Sequence, residues 1–133
     1  MPLSPTPRRI LFADDDPDDH YLFIAALKEI DASIEICQFY RCDEVFSHLL
    51  HAPLPDIIFL DLNMPGNEEL KCLKELKQNE KYKNIKVIIY TTSTRNELVR
   101  EAEQIGASRY VVKPSSIREL QVLLREIVIE PGG

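Results

Sequence analysis

The sequence predicts an α/β domain in which a doubly wound parallel sheet is covered by helices on both faces. Three observations lead there. Short apolar runs alternate along the chain with five segments whose apolar residues recur at helical spacing. Most of those runs lack polar alternation, as strands buried on both faces do. Right-handed crossovers then leave a doubly wound sandwich as the arrangement of five successive strand–helix units.

The first run is Ile10-Leu-Phe-Ala13, followed by Asp14, Asp15 and Asp16. Asp16 before Pro17 reads as the N-cap and first residue of a helix, whose core face is Phe23, Ala26, Leu27 and Ile30. Ile34 to Tyr40 is more mixed and suits an edge strand. The second helix carries Val45, Phe46, Leu49 and Leu50 on its apolar stripe. The third run, Ile57-Ile-Phe-Leu60, leads into Asp61 and the segment Leu62-Asn63-Met64-Pro65-Gly66; the next helix presents Leu70, Leu73 and Leu76. The fourth run, Val87-Ile-Ile-Tyr90, precedes Thr91, Thr92 and Ser93. Thr94-x-x-Glu97 fits a capping box for a helix with Leu98, Ala102 and Ile105 inward. The fifth run is Tyr110-Val-Val112, then Lys113 and Pro114. Ser116-x-x-Glu119 fits a second box, for a helix with Ile117, Leu120, Leu124 and Ile127 inward.

At 133 residues the chain has the size of one domain, with tails expected at residues 1–7 and 130–133 around a domain at 8–129. A net charge of −6 argues against a nucleic-acid phosphate footprint. No apolar run is long enough for a membrane span, and the start has no apolar stretch of a secretory signal. Cys37, Cys42 and Cys72 are odd in number and lack zinc-type spacing, so reduced thiols and a cytoplasmic setting are expected. His20, His48 and His51 show no ligand spacing and read as surface or half-buried residues.

In a doubly wound sheet, ligands bind outside the carboxyl ends of the strands. Asp14, Asp15, Asp61, Thr91 and Lys113 all follow strand runs, so they should converge on one edge. Clustered carboxylates repel unless a cation joins them; Mg2+ is a hard, oxygen-seeking ion that also binds phosphoryl oxygens. A carboxylate can attack phosphorus, and the transferred group then needs positive charge and hydrogen-bond donors. Each residue alone has a plainer reading: Asp16, Asp18 and Asp19 as an acidic helix start, Asp61 as a turn former, Thr91 as a loop hydroxyl, Lys113 as a surface lysine. Compatible chemistry at four strand ends is what gives the pattern its weight.

The runs ending in Asp14-Asp15-Asp16, Asp61-Leu-Asn-Met-Pro-Gly66, Tyr90-Thr91 and Gly106-Ala-Ser-Arg-Tyr-Val-Val-Lys113-Pro114 resemble the receiver domain of bacterial response regulators, from about Arg8 to about Val128. The likeness is to stand-alone receivers of the chemotaxis and phytochrome-linked kinds. It implies a flavodoxin-like fold with strand order 2-1-3-4-5. It also implies Asp61 as phosphoacceptor, with Mg2+ held by Asp15 and Asp61, by Asp14 through water, and by the Asn63 backbone carbonyl. Lys113 and Thr91 would serve the phosphoryl group, and Tyr110 would be an aromatic switch. The phosphoryl donor would be a sensor histidine kinase or histidine phosphotransfer protein docking near Asp19 and Leu22, and the output a protein target rather than nucleic acid or membrane. A cis Lys113–Pro114 bond is expected where the chain turns back into the site. One departure stands out: the family often has Asp or Asn and then Gly where this chain has Asn67-Glu68-Glu69-Leu70.

Three other functions fit less of the pattern. A haloacid-dehalogenase-type phosphohydrolase wants a second Asp two residues after its nucleophile, where this chain has Asn63. An interaction module that is never phosphorylated would not need the complete set of Asp14, Asp15, Asp61, Thr91 and Lys113. A DNA-binding regulator is least expected, with only Glu130-Pro-Gly-Gly after the fifth helix.

Overall fold

A computed structural model describes residues 7–129; the tail expected at 130–133, and all but Pro7 of the one expected at 1–7, lie outside those residues. Strands β1 (Arg9–Ala13), β2 (Glu35–Phe39), β3 (Ile57–Leu60), β4 (Lys86–Thr91) and β5 (Arg109–Val112) alternate with helices α1 (Pro17–Ile30), α2 (Cys42–His51), α3 (Lys71–Gln78), α4 (Asn96–Ile105) and α5 (Ile117–Ile129). The five strands form one parallel sheet in the order β2-β1-β3-β4-β5, as expected.

Alternation along the strands splits the core into two layers. Leu11, Ala13, Ile58, Leu60, Val87 and Ile89 face one side and pack with Val45, Leu49, Leu73, Leu76 and Ala102 from α2, α3 and α4. Ile10, Phe12, Ile57, Phe59, Ile88 and Tyr90 face the other, against Phe23, Ala26, Leu27, Leu120 and Leu124 from α1 and α5. Phe12, Phe23 and Phe59 have no exposed surface; burying a side chain of this kind contributes roughly 1.5–3 kcal/mol. The two expected stripes that include Leu50 and Ile117 are narrower than helical spacing suggests. Those residues are 67% and 43% exposed because they sit at the rim of the face that meets the sheet.

Caps settle the helix starts unevenly. The Asp16 side chain accepts from the Asp18 N–H at 2.9 Å, and Pro17 opens α1, as expected. At α5 the Ser116 hydroxyl accepts from the Glu119 N–H, while Glu119 reaches back to Ser115 rather than to Ser116. The Thr94 box does not form. The cap position of α4 falls on Arg95, which has no side-chain cap; Ser93 Oγ takes the Arg95 N–H and Glu97 pairs with the Arg95 guanidinium.

Two further expectations are corrected. Cys42 and Cys72 form a disulfide with Cα atoms 6.0 Å apart, leaving Cys37 as the free thiol among the described residues. They lie 30 residues apart in sequence, and only the packing of α2 beside α3 brings them together. The described chain contains no cis peptide, so Lys113–Pro114 is trans. The Lys113 N–H still donates to Thr91 C=O at 2.7 Å, continuing the ladder, and the long side chain delivers the ammonium without a backbone reversal.

Candidate functional site

The sheet's hydrogen bonds run one residue beyond the strands and so place the site. The Asp14 N–H donates to Phe39 C=O and the Asp61 N–H to Ala13 C=O, while Thr91 ends β4. Asp14, Asp61 and Thr91 are buried, at 0%, 2% and 0% exposure, and Asp15 beside them is exposed. One carboxylate oxygen from each of Asp14, Asp15 and Asp61 lies within 4.8 Å of the others. Lys113 enters from the far strand: its Nζ is 2.6 Å from Asp19 Oδ2, 2.9 Å from Asp14 Oδ2 and 3.5 Å from Asp61 Oδ2. It also lies 5.8 Å from the centre of the Tyr90 ring.

Burial pushes the Asp14 carboxyl up to about 7, against the opposing pull of Lys113 and of the Asp16 N–H. Its Oδ1 accepts that N–H, and its buried Oδ2 stands 2.9 Å from the Lys113 ammonium. Burial would lower the Lys113 ammonium; Asp19, Asp14 and Asp61 outweigh it, and the net shift is upward. Burial likewise raises the Tyr90 phenol. Three carboxylate oxygens grouped this closely, two of them from the buried Asp14 and Asp61, fit a small hard cation such as Mg2+ or Mn2+.

The other expected residues are placed as follows. The exposed Asn63 donates its N–H to Asp61 Oδ1 at 3.3 Å, which holds the start of the loop against that carboxylate. Thr91 Oγ1 accepts from the Ser93 N–H. Tyr110 is half-buried and donates its hydroxyl to Ser93 C=O at 3.0 Å, so Thr91 and Tyr110 both bear on the β4–α4 loop. Leu22 is 46% exposed, whereas Asp19 turns inward to Lys113.

Two residues of the site escaped sequence reasoning. Asn67 is fully buried: its Nδ2 donates to Asp61 C=O at 2.9 Å and its Oδ1 accepts the Cys72 N–H at 2.9 Å. A loop asparagine ordinarily reads as a turn former, so nothing local announces this. Asn67 is followed by Glu69 and Leu70 at φ 54° and 61°, the left-handed region, where the family's glycine is missing. His20, expected at the surface or half-buried, is 2% exposed. It bonds Asp14 C=O at 2.7 Å and Gln38 Oε1 at 3.1 Å and stacks on Tyr40. It lies three residues before Phe23 on the α1 stripe, a spacing that could have revealed it.

Known proteins share this architecture. The family model for the response regulator receiver domain matches residues 10–125. Chemotaxis protein CheY-3 of Vibrio cholerae is 33% identical over 72 residues, covering 54% of this chain and 55% of that protein. The alignment thus spans about half the length of that relative. Response regulator Rcp1 of Synechocystis is 28% identical over 130 residues, covering 93% of this chain and 88% of that one. The crystal structure of the Mn2+-bound form of response regulator Rcp1 superposes with a TM-score of 0.83 at 25% identity, covering 92% and 95% of the two chains. With the family match running from β1 into α5, the chain belongs to the response regulator receiver domain family.

Proposed function

We propose that this protein is a phosphoacceptor in two-component signalling: Asp61 takes a phosphoryl group from a phosphohistidine on a sensor histidine kinase or histidine phosphotransfer protein. The observation that carries this reading is the setting of Asp61, a buried carboxylate grouped with two acidic neighbours, Asp14 and Asp15, with the Lys113 ammonium 3.5 Å away. An Asp61 oxygen attacks phosphorus, the bond to the donor imidazole breaks, and an acyl phosphate forms. Mg2+ would be held by Asp14, Asp15, Asp61 and the Asn63 backbone carbonyl, and when bound it supplies positive charge to the phosphoryl oxygens. Lys113 supplies a second cation and Thr91 a hydroxyl donor. The burial of Asp14, Asp61 and Thr91 strengthens the interactions those three residues make.

The product stays on the protein, so the reaction is a signal rather than a turnover. Readout runs through Thr91 and Tyr110, which share the Ser93 backbone. No helix among the described residues is long and apolar enough to cross a membrane. The reading places the protein in the cytoplasm with its phosphohistidine donor. The test is phosphorylation by acetyl phosphate with Mg2+. Wild type should label and Asp61→Asn should not; equal labelling of the two removes Asp61 as the acceptor.

A further inference from the structure

Lys113 is not centred on the acceptor. The shortest contact of its ammonium is the hydrogen bond to Asp19 Oδ2 at 2.6 Å, while Asp61 Oδ2 stands 3.5 Å away, beyond hydrogen-bond length for an ammonium and a carboxylate. Asp19 lies in the first turn of α1, where an acid also benefits from the helix dipole. The dipole does not require it to turn inward, and its neighbour Asp18 in the same turn stays exposed. The Asp19 side chain is 24% exposed and that of Lys113 10%, so water screens this pair only in part.

We propose that Asp19 is a positioning residue: it restrains the Lys113 ammonium in the unphosphorylated protein and thereby sets how tightly the site takes up a phosphoryl group. The argument is one of competition and rests on the phosphoacceptor reading. An ammonium has three donors in a compact head. Asp14 and Asp19 already draw that head toward α1 and β1. A phosphoryl group on Asp61 must recruit it against the Asp19 bond, the shortest contact Lys113 makes with the surrounding carboxylates. Releasing that bond leaves the lysine freer to serve the phosphoryl group. The side-chain hydrogen bond Asp19 makes is to Lys113, so its effect on the phosphoryl group runs through that ammonium.

The test is uptake of beryllofluoride, a phosphoryl mimic, at fixed Mg2+, followed by chemical-shift titration. Asp19→Asn should lower the half-saturating concentration roughly fivefold, the effect of releasing one partly screened ion pair. Asp18→Asn removes the same charge one residue away without a contact to Lys113 and should shift it much less. An unchanged or raised value for Asp19→Asn, or an equal shift in the two variants, overturns the proposal. A second readout addresses Lys113 directly. Its ammonium proton–nitrogen cross-peak, slowed in exchange by the Asp19 bond, should be visible in the wild type and lost in Asp19→Asn; persistence in the variant also overturns it. Should wild type fail to take up beryllofluoride at all, the phosphoacceptor reading falls as well. Uptake by wild type with no effect of Asp19→Asn sinks this inference alone.

Discussion

Replacing Asn67 with alanine removes the clamp between the end of β3 and α3. The side chain makes two buried hydrogen bonds, to Asp61 C=O and from the Cys72 N–H, both at 2.9 Å. Each contributes roughly 0.5–1.5 kcal/mol net, and each orphaned backbone group costs about 1–3 kcal/mol if nothing replaces its partner. These terms overlap, and water can enter the space alanine leaves, so the expected loss is about 2–4 kcal/mol. Asn67→Leu, similar in size but unable to bond or to admit water, should lose at least as much. Urea denaturation followed by circular dichroism gives the difference at unchanged m-value. The same variants should accept phosphate from acetyl phosphate about tenfold more slowly, because Asp61 loses its tether and small misplacements are expensive for reacting groups. A loss below about 0.5 kcal/mol, with the labelling rate intact, would show that Asn67 holds nothing and that the clamp is misread.

Gly66→Ala should destabilise the fold by about 2–4 kcal/mol in the same urea assay, since the residue sits at φ +91° and a Cβ there would meet Cys42 Cβ at 2.6 Å. Glu69→Gly should do the opposite, raising stability by about 0.5–1 kcal/mol, because φ 54° is disfavoured for a side chain and free for glycine; a loss would show that the Glu69 side chain stabilises the turn. The Asp14 carboxyl is raised from 3.8 to about 7, so the fold binds its proton more tightly than the unfolded chain does. Its contribution is therefore fully present below about pH 3.8 and lost as pH rises to about 7. In chelator, the melting temperature of wild type should fall relative to Asp14→Asn across that window, and Mg2+ should reverse the fall; a flat difference counts against a strained Asp14. Thr91→Ala and Tyr110→Ala, both bearing on the Ser93 backbone, should be non-additive in a double-mutant cycle on target binding by the phosphorylated protein; additive effects with Asp61 still phosphorylated would separate them.

The buried strands and the ends of β3 were legible from the chain because a strand buried on both faces must be apolar at every position, as Ile57-Ile-Phe-Leu60 is, whereas the spatial order of the strands came from the family resemblance. Asp14, Asp15, Asp61, Thr91 and Lys113 were legible for a related reason: parallel strands in one sheet deliver their carboxyl ends to one edge, so a polar residue ending each apolar run has few other places to be. The Asp16–Pro17 helix start is local chemistry and held; the Thr94 box is equally local and lost to the Ser93 and Arg95 contacts around it.

What only the tertiary structure decided are the pairings between residues far apart in the chain. Sequence separation hides Asp19 from Lys113 by 94 residues and Cys42 from Cys72 by 30, and neither carries a local signature of its partner. Asn67 reads as a turn residue until Asp61 and α3 close over it. Local pattern dictates which face of a strand or helix is apolar, because that depends on near neighbours and backbone period. The partner of a polar side chain at an element's end depends instead on where other elements land, and that is set by packing of the whole sheet and its two helical layers.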